Sequence, residues 1–126
     1  MAASADHEQQ ASRNRDFYTE IGAENTQWPE WALTALFYTA VHQVQAVIVR
    51  KGWKVRRKDG SLKFPDVHEE RLRVINRECR QIETDFRLLK QWSEGARYEC
   101  RAFAPHNVKL AERTLDQITA ELAKIG

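Results

Sequence analysis

Apolar residues recur along most of this chain at spacings of three and four, the period of helices that bury one side. The most apolar stretch is WPEWALTALFYTAVHQVQAVIVRKG, in which Leu33, Leu36, Phe37, Ala40, Val41, Val44, Val47 and Ile48 cover more than half of a helical circumference. It predicts a central helix buried on several sides, opened by Pro29 in its first turn and ended by Gly52. The narrower polar ridge of that helix carries Thr34, Tyr38, His42 and Gln45. Further on, Leu72, Ile75, Cys79, Ile82, Phe86 and Leu89 are spaced 3, 4, 3, 4 and 3, which predicts one unbroken helix over about 66–91. Asp66 followed by Glu69 resembles a capping box at its start. Val108, Ala111, Leu115, Ile118, Leu122 and Ile125 repeat the same spacings, so a last helix follows Pro105.

Weaker patterns fill the gaps. Phe17 and Ile21 share a face, and with Gly22 as a stop they predict a first helix over about 10–21. Residues 1–10 are small and polar and read as a frayed, flexible tail. A short helix over about 94–103 is expected with Ser93 as its cap and Ala96, Cys100 and Phe103 inward. Between the second and third helices, Trp53 and Val55 alternate with polar residues before Asp59-Gly60, and Leu62 and Phe64 alternate after it. The expectation is an all-α, antiparallel four-to-five-helix bundle, one domain over 11–126, with a basic loop or small hairpin between its second and third helices.

Composition narrows this picture rather than changing it. With 126 residues, 42% of them hydrophobic and 30% charged, the chain suits one ordinary globular core. No apolar run approaches the roughly twenty residues of a membrane span, and MAASADHEQQ lacks the features of an export signal, so a cytoplasmic address with no membrane partner is expected. Cys79 and Cys100 have no second cysteine two to four residues away, which argues against structural zinc and a disulfide scaffold.

Charge is distributed unevenly. Residues 50–63 hold Arg50, Lys51, Lys54, Arg56, Arg57, Lys58 and Lys63 against Asp59 alone, a local +6 within a chain of net charge +2. Such a stretch is either a solvated loop or an attractor for an acidic surface or a phosphate backbone, with Arg56, Arg57 and Lys58 as its substrate-binding candidates. Of the tryptophans at 28, 31, 53 and 92, most should pack the ends of the bundle, and Trp53, beside the positive charges, is the one suited to stacking or partner binding.

Candidate chemistry centres on the late helices. Arg97 and Arg101 stand four apart, and His106 would occupy the second position of the last helix, where unpaired amides and the helix dipole favour an anion. A histidine can exchange a proton with a ribose hydroxyl or a leaving oxygen while arginine neutralises phosphoryl charge, so this corner suits RNA cleavage with neither metal nor cofactor. On the ridge of the central helix, His42 lies one turn after Tyr38 and reads first as a histidine hydrogen-bonded between helices; His68 reads as capping or packing a helix start. No glycine-rich phosphate loop and no carboxylate set of a two-metal or nucleotidyltransferase centre is present.

WALTALFYTAVHQVQA at 31–46, HEERLRVI at 68–75 and WSEGARYECRAF at 92–103 together resemble the HEPN domain, the higher-eukaryote and prokaryote nucleotide-binding family, in its small bacterial members. The resemblance covers roughly 11–125. It implies a compact helical bundle, commonly a homodimer, and in many members a metal-independent ribonuclease of toxin-antitoxin or defence systems. RAFAPH matches that family's arginine and histidine pair in spacing and place, which implies catalytic roles for Arg101 and His106 in a site completed across a dimer. Ala102, often polar in active members, and Pro105 depart from the pattern. Other members are noncatalytic binding or regulatory subunits, partners of an antitoxin or of a minimal nucleotidyltransferase, so both a nuclease and a binding subunit for RNA or a nucleotide are implied.

Overall fold

A computed structural model describes residues 2–21, 26–99 and 102–126 and shows an all-α bundle. Its helices are α1 (Ser4–Glu20), α2 (Pro29–Lys51), α3 (His68–Glu78), α4 (Glu83–Tyr98) and α5 (Pro105–Ile125). A two-stranded hairpin, β1 (Val55–Arg56) with β2 (Leu62–Lys63), joins α2 to α3 and pairs Val55 with Lys63 and Arg56 with Leu62.

The central position of α2 follows from its sequence. Its apolar residues surround the helix except along one ridge, so α1, α4 and α5 can all pack on it, and Leu33, Leu36, Phe37, Ala40, Val44 and Ile48 are essentially fully buried. Pro29 supplies a fixed φ at the first position, and Gly52 ends the helix in the left-handed conformation, φ 71°, where its amide satisfies late carbonyls. This helix is long and apolar enough, by length and composition, to cross a membrane, which corrects the expectation that no stretch approached that length. Most of it is covered by the other helices, as in the core helix of a bundle.

Three boundaries differ from the pattern-based expectation. Helix α1 begins at Ser4, where a tail was expected, and Ser4 Oγ donates to the Ala46 carbonyl of α2 at 2.8 Å. Within α1 it is Ala11 and Tyr18, seven apart, that face inward, while Phe17 is exposed. The seam over 66–91 is interrupted: α3 ends at Glu78, a 3-10 turn spans Arg80–Ile82, and α4 then runs on to Tyr98, into the start of the segment expected to be a separate short helix. Cys79, Ile82 and Phe86 stay buried through the break, so a spacing of three and four survives a change of helix type and hides it. Ser93 is consequently a buried residue within α4 rather than a cap. At the start of α3, it is Glu70 rather than Glu69 that accepts from the Asp66 amide, at 3.2 Å, and Val67 occupies the cap position.

Helices α1 and α2 run antiparallel, bringing residues 4 and 7 beside 46 and 42, and α1 also meets α5 through ion pairs of Arg15 with Glu112 and Asp116. Asn107 Oδ1 accepts from the Ala104 amide and closes the first turn of α5. The free thiol of Cys79 is buried, and burial pushes it up to about 11, leaving it an unreactive core side chain.

Candidate functional site

The polar ridge of α2 gathers titratable groups from three other helices. His7 arrives from α1, His68 and Arg71 from the opening of α3, and Arg97 from the last turn of α4. Arg71 sits at the centre, with only 6% of its surface exposed. Its Nε donates to Gln45 Oε1 at 2.9 Å and its Nη1 to His68 Nδ1 at 3.0 Å. The amide of Gln45 is oriented by its own donation to the Pro65 carbonyl at 2.8 Å. Among the described residues no carboxylate lies within ion-pair distance of Arg71: Asp66 and Glu70 act on it from farther away and are both bound to Lys63.

Arg97 repeats this arrangement at the neighbouring edge. Its Nη1 donates to Tyr38 Oη at 2.9 Å and to Tyr98 Oη at 3.3 Å, and the guanidinium lies over both rings, 5.3 and 4.9 Å from their centroids. It too has no carboxylate partner among the described residues, and the nearby Lys90 is bound to Glu94. Each guanidinium keeps its Nη2 without an acceptor among the described residues. By contrast, a surface groove of about 550 Å³ between α1, α2 and α5 contains Arg15 and Arg50, and both are neutralised there by Glu112, Asp116 and Glu8.

Hydrogen bonding restricts the protonation states. An arginine can only donate, so His68 accepts at Nδ1 and carries its proton on Nε2, which is left as a donor. His7 and His42 approach through their Nδ1 atoms at 3.0 Å with stacked rings, so one Nδ1 bears the proton and the other accepts it. Whichever ring donates there has an Nε2 lone pair to offer as a base. Burial, followed by the charges of Arg71, Lys90 and Arg97, lowers the pKa of His68; burial, then His7 and Arg71, lowers that of His42. For His7, burial and Arg71 outweigh the opposing Asp6. The cluster therefore combines neutral imidazoles with one desolvated cation, Arg71, and a second, half-buried one, Arg97, an environment that gains from an incoming anion.

The sequence-predicted residues divide accordingly. Tyr38, His42, His68 and Arg97 come together in this cluster, with His68 packed on the Phe37 and Tyr38 rings and His42 hydrogen-bonded between helices as expected. Arg56, Arg57 and Lys58 are exposed on the hairpin. His106 is exposed at the second position of α5 and makes no hydrogen bond or ion pair among the described residues; Arg101 and Cys100 lie outside them. Sequence reasoning missed Arg71 and His7. Arg71 stands one turn after His68, a spacing that places both on one face, whereas His7 gave no signal because its segment read as a tail. Among the described residues no group of three or more histidines, cysteines or carboxylates is placed to hold a metal ion.

No protein-family model matches the chain, and neither a curated protein nor a solved structure is significantly similar to it.

Proposed function

We propose that this chain is an HEPN-type bundle that takes up the phosphate of RNA or of a nucleotide in the recess between α2, α3 and α4, and that it acts there as a metal-independent endoribonuclease. The observation that carries this reading is the pair of arginines, Arg71 buried and Arg97 half-buried beside it, that have no carboxylate partner among the described residues. A buried cation held only by neutral groups is costly, and a phosphate would offset that cost through charge-assisted hydrogen bonds. In such a complex the two guanidinium groups and His68 Nε2–H donate to phosphoryl oxygens. The unprotonated Nε2 of the His7–His42 pair takes the proton of an attacking 2′-hydroxyl, and the arginines stabilise the charge that develops on phosphorus oxygens.

One observation favours the noncatalytic alternative, a binding or regulatory subunit such as the partner of a nucleotidyltransferase. All three clustered imidazoles have lowered pKa values, which supplies a base but no protonated acid for the leaving oxygen. His106 on α5 would have to provide that proton, in this subunit or from a second copy.

Incubation of purified protein with transfer RNA and total RNA in the presence of a chelator separates the readings. Cleavage that is lost in both Arg71→Met and His106→Ala supports the nuclease. RNA binding without cleavage, abolished by Arg71→Met alone, supports the binding subunit. RNA binding and cleavage unaffected by Arg71→Met overturn the recess as the site.

A further inference from the structure

Three large side chains that would ordinarily be buried stand out from the surface at the other end of the same ridge. Trp31 is 56% exposed, Trp28 53% and Phe17 45%, and with Ile21 they line a shallow apolar groove between α1 and the start of α2. A second groove shares Phe17 and Trp31 with the first and continues past Thr34 to Tyr38 and His42. Tyr38 is the residue whose hydroxyl and ring hold Arg97. From Trp31 to Tyr38 is seven residues, or about 10 Å of helix. The two adjoining grooves thus run from exposed indole to the tyrosine that holds Arg97, a cation without a carboxylate partner among the described residues.

Resting on the phosphate reading above, we infer that these grooves form a nucleobase subsite: a base of single-stranded RNA stacks on Trp31 and Phe17 while the adjoining phosphate lies at Arg97. The composition of the patch suits this occupant. Flat aromatic faces stack any base without reading its identity, and Arg97 gives the backbone a point of attachment at one end only. The polar groups interspersed along the second groove, Asn14, Gln10 and Thr34, suit a ribose better than the fully apolar face of a partner helix. It is Trp31 and Trp28 that are free for this role, because Trp53, the indole expected to stack, packs against the core and is only partly exposed.

Fluorescence anisotropy with two labelled strands of equal length, one a single-stranded oligonucleotide and one an abasic sugar-phosphate polymer, tests the assignment. The expected result is that Trp31→Ala weakens the base-bearing strand about tenfold or more while barely changing the abasic one. Arg97→Gln should weaken both, and the tryptophan emission of the unmodified protein should be quenched only by the base-bearing strand. Equal weakening of both strands by Trp31→Ala, or none, overturns the stacking role while leaving the phosphate reading intact. If the unmodified protein binds neither strand, both readings fall. If Trp31→Ala converts a dimer to a monomer in sedimentation with RNA affinity unchanged, the patch is an interface between copies and the assignment is wrong. Trp31 is exposed, so the variant should keep the fold, which circular dichroism verifies.

Discussion

The hairpin and the recess are two places where this chain gathers positive charge, and they use it in opposite ways. On the hairpin the cations are dense along the sequence but solvated. Arg56 Nη1 donates to the Gly60 carbonyl at 2.7 Å, Arg57 Nη1 lies 3.5 Å from Ser61 Oγ, and Lys58 extends from the turn. These contacts shape the loop, and each charge keeps its hydration. In the recess only two arginines, 26 positions apart in the sequence, converge after folding, and one of them is almost wholly buried among neutral groups. Water and salt screen the first set to within a Debye length, about 8 Å at physiological ionic strength, whereas the second is screened far less. Density along the chain therefore identifies where an electrostatic field is broad, and desolvation identifies where a specific anion would gain most.

The sharpest way to break that comparison is Arg71→Met. Losing a buried charged partner of a bound phosphate should cost about two orders of magnitude in affinity. In the unmodified protein an oligonucleotide or pyrophosphate at roughly 100 times its Kd should stabilise the fold by about 2.7 kcal/mol and raise Tm by about 10 °C. Differential scanning fluorimetry should show that rise nearly abolished in the variant. The unliganded Tm should move little, since removing a desolvated cation offsets the loss of a donor to Gln45 Oε1 and His68 Nδ1. An undiminished anion-induced rise would return the hairpin to first place.

A second test sharpens the comparison by using pH, because only the recess contains imidazoles that are part of a shared network. Their folded pKa values lie below the ordinary histidine value near 6.5. The unfolded chain consequently binds more protons in the window below 6.5, and stability of the unliganded protein should fall as pH drops from 6.5 toward the folded values. A bound anion would raise those same values, so phosphate affinity should strengthen as pH falls through that window. Opposite slopes of unliganded Tm and of affinity against pH, both flattened in His42→Gln, are the expected result. Parallel slopes would separate the imidazoles from the anion.

The helical fold was legible in the sequence because burial imposes a period, and α2 and α5 were bounded correctly by Pro29, Gly52 and Pro105. What escaped has physical reasons. The first turns of α1 are polar and are held by contacts with α2, including Ser4 to Ala46 and His7 to His42, which no local pattern encodes. The break at Cys79 involves neither proline nor glycine and leaves the buried seam in phase. Half of the candidate site was visible as a ridge: Tyr38, His42 and Gln45 were marked as the polar side of a buried helix. Arg71 was not, since a single arginine among the charges of HEERLR differs from its neighbours only in what folding places around it. Exposure of Trp31 rather than Trp53 was equally a tertiary matter, decided by which indole the core has room to cover.

The smallest effect should come from the most conspicuous charges. Replacing Arg56, Arg57 and Lys58 together by glutamine removes three cations from the hairpin and none of the pairing of Val55 with Lys63 or Arg56 with Leu62, which is backbone work. If these residues act only through a diffuse field, RNA affinity at physiological salt should fall by no more than a few-fold. The dependence of log affinity on log salt should lose up to about 0.7 of slope for each single-strand phosphate contact removed. The anion-induced rise in Tm, which reports on the recess, should be unchanged. Measuring affinity across a salt series for the triple variant and for Arg71→Met distinguishes the two kinds of cation in one experiment: the hairpin variant should converge on the unmodified protein at high salt, where diffuse attraction is already screened, while the recess variant should remain weaker throughout.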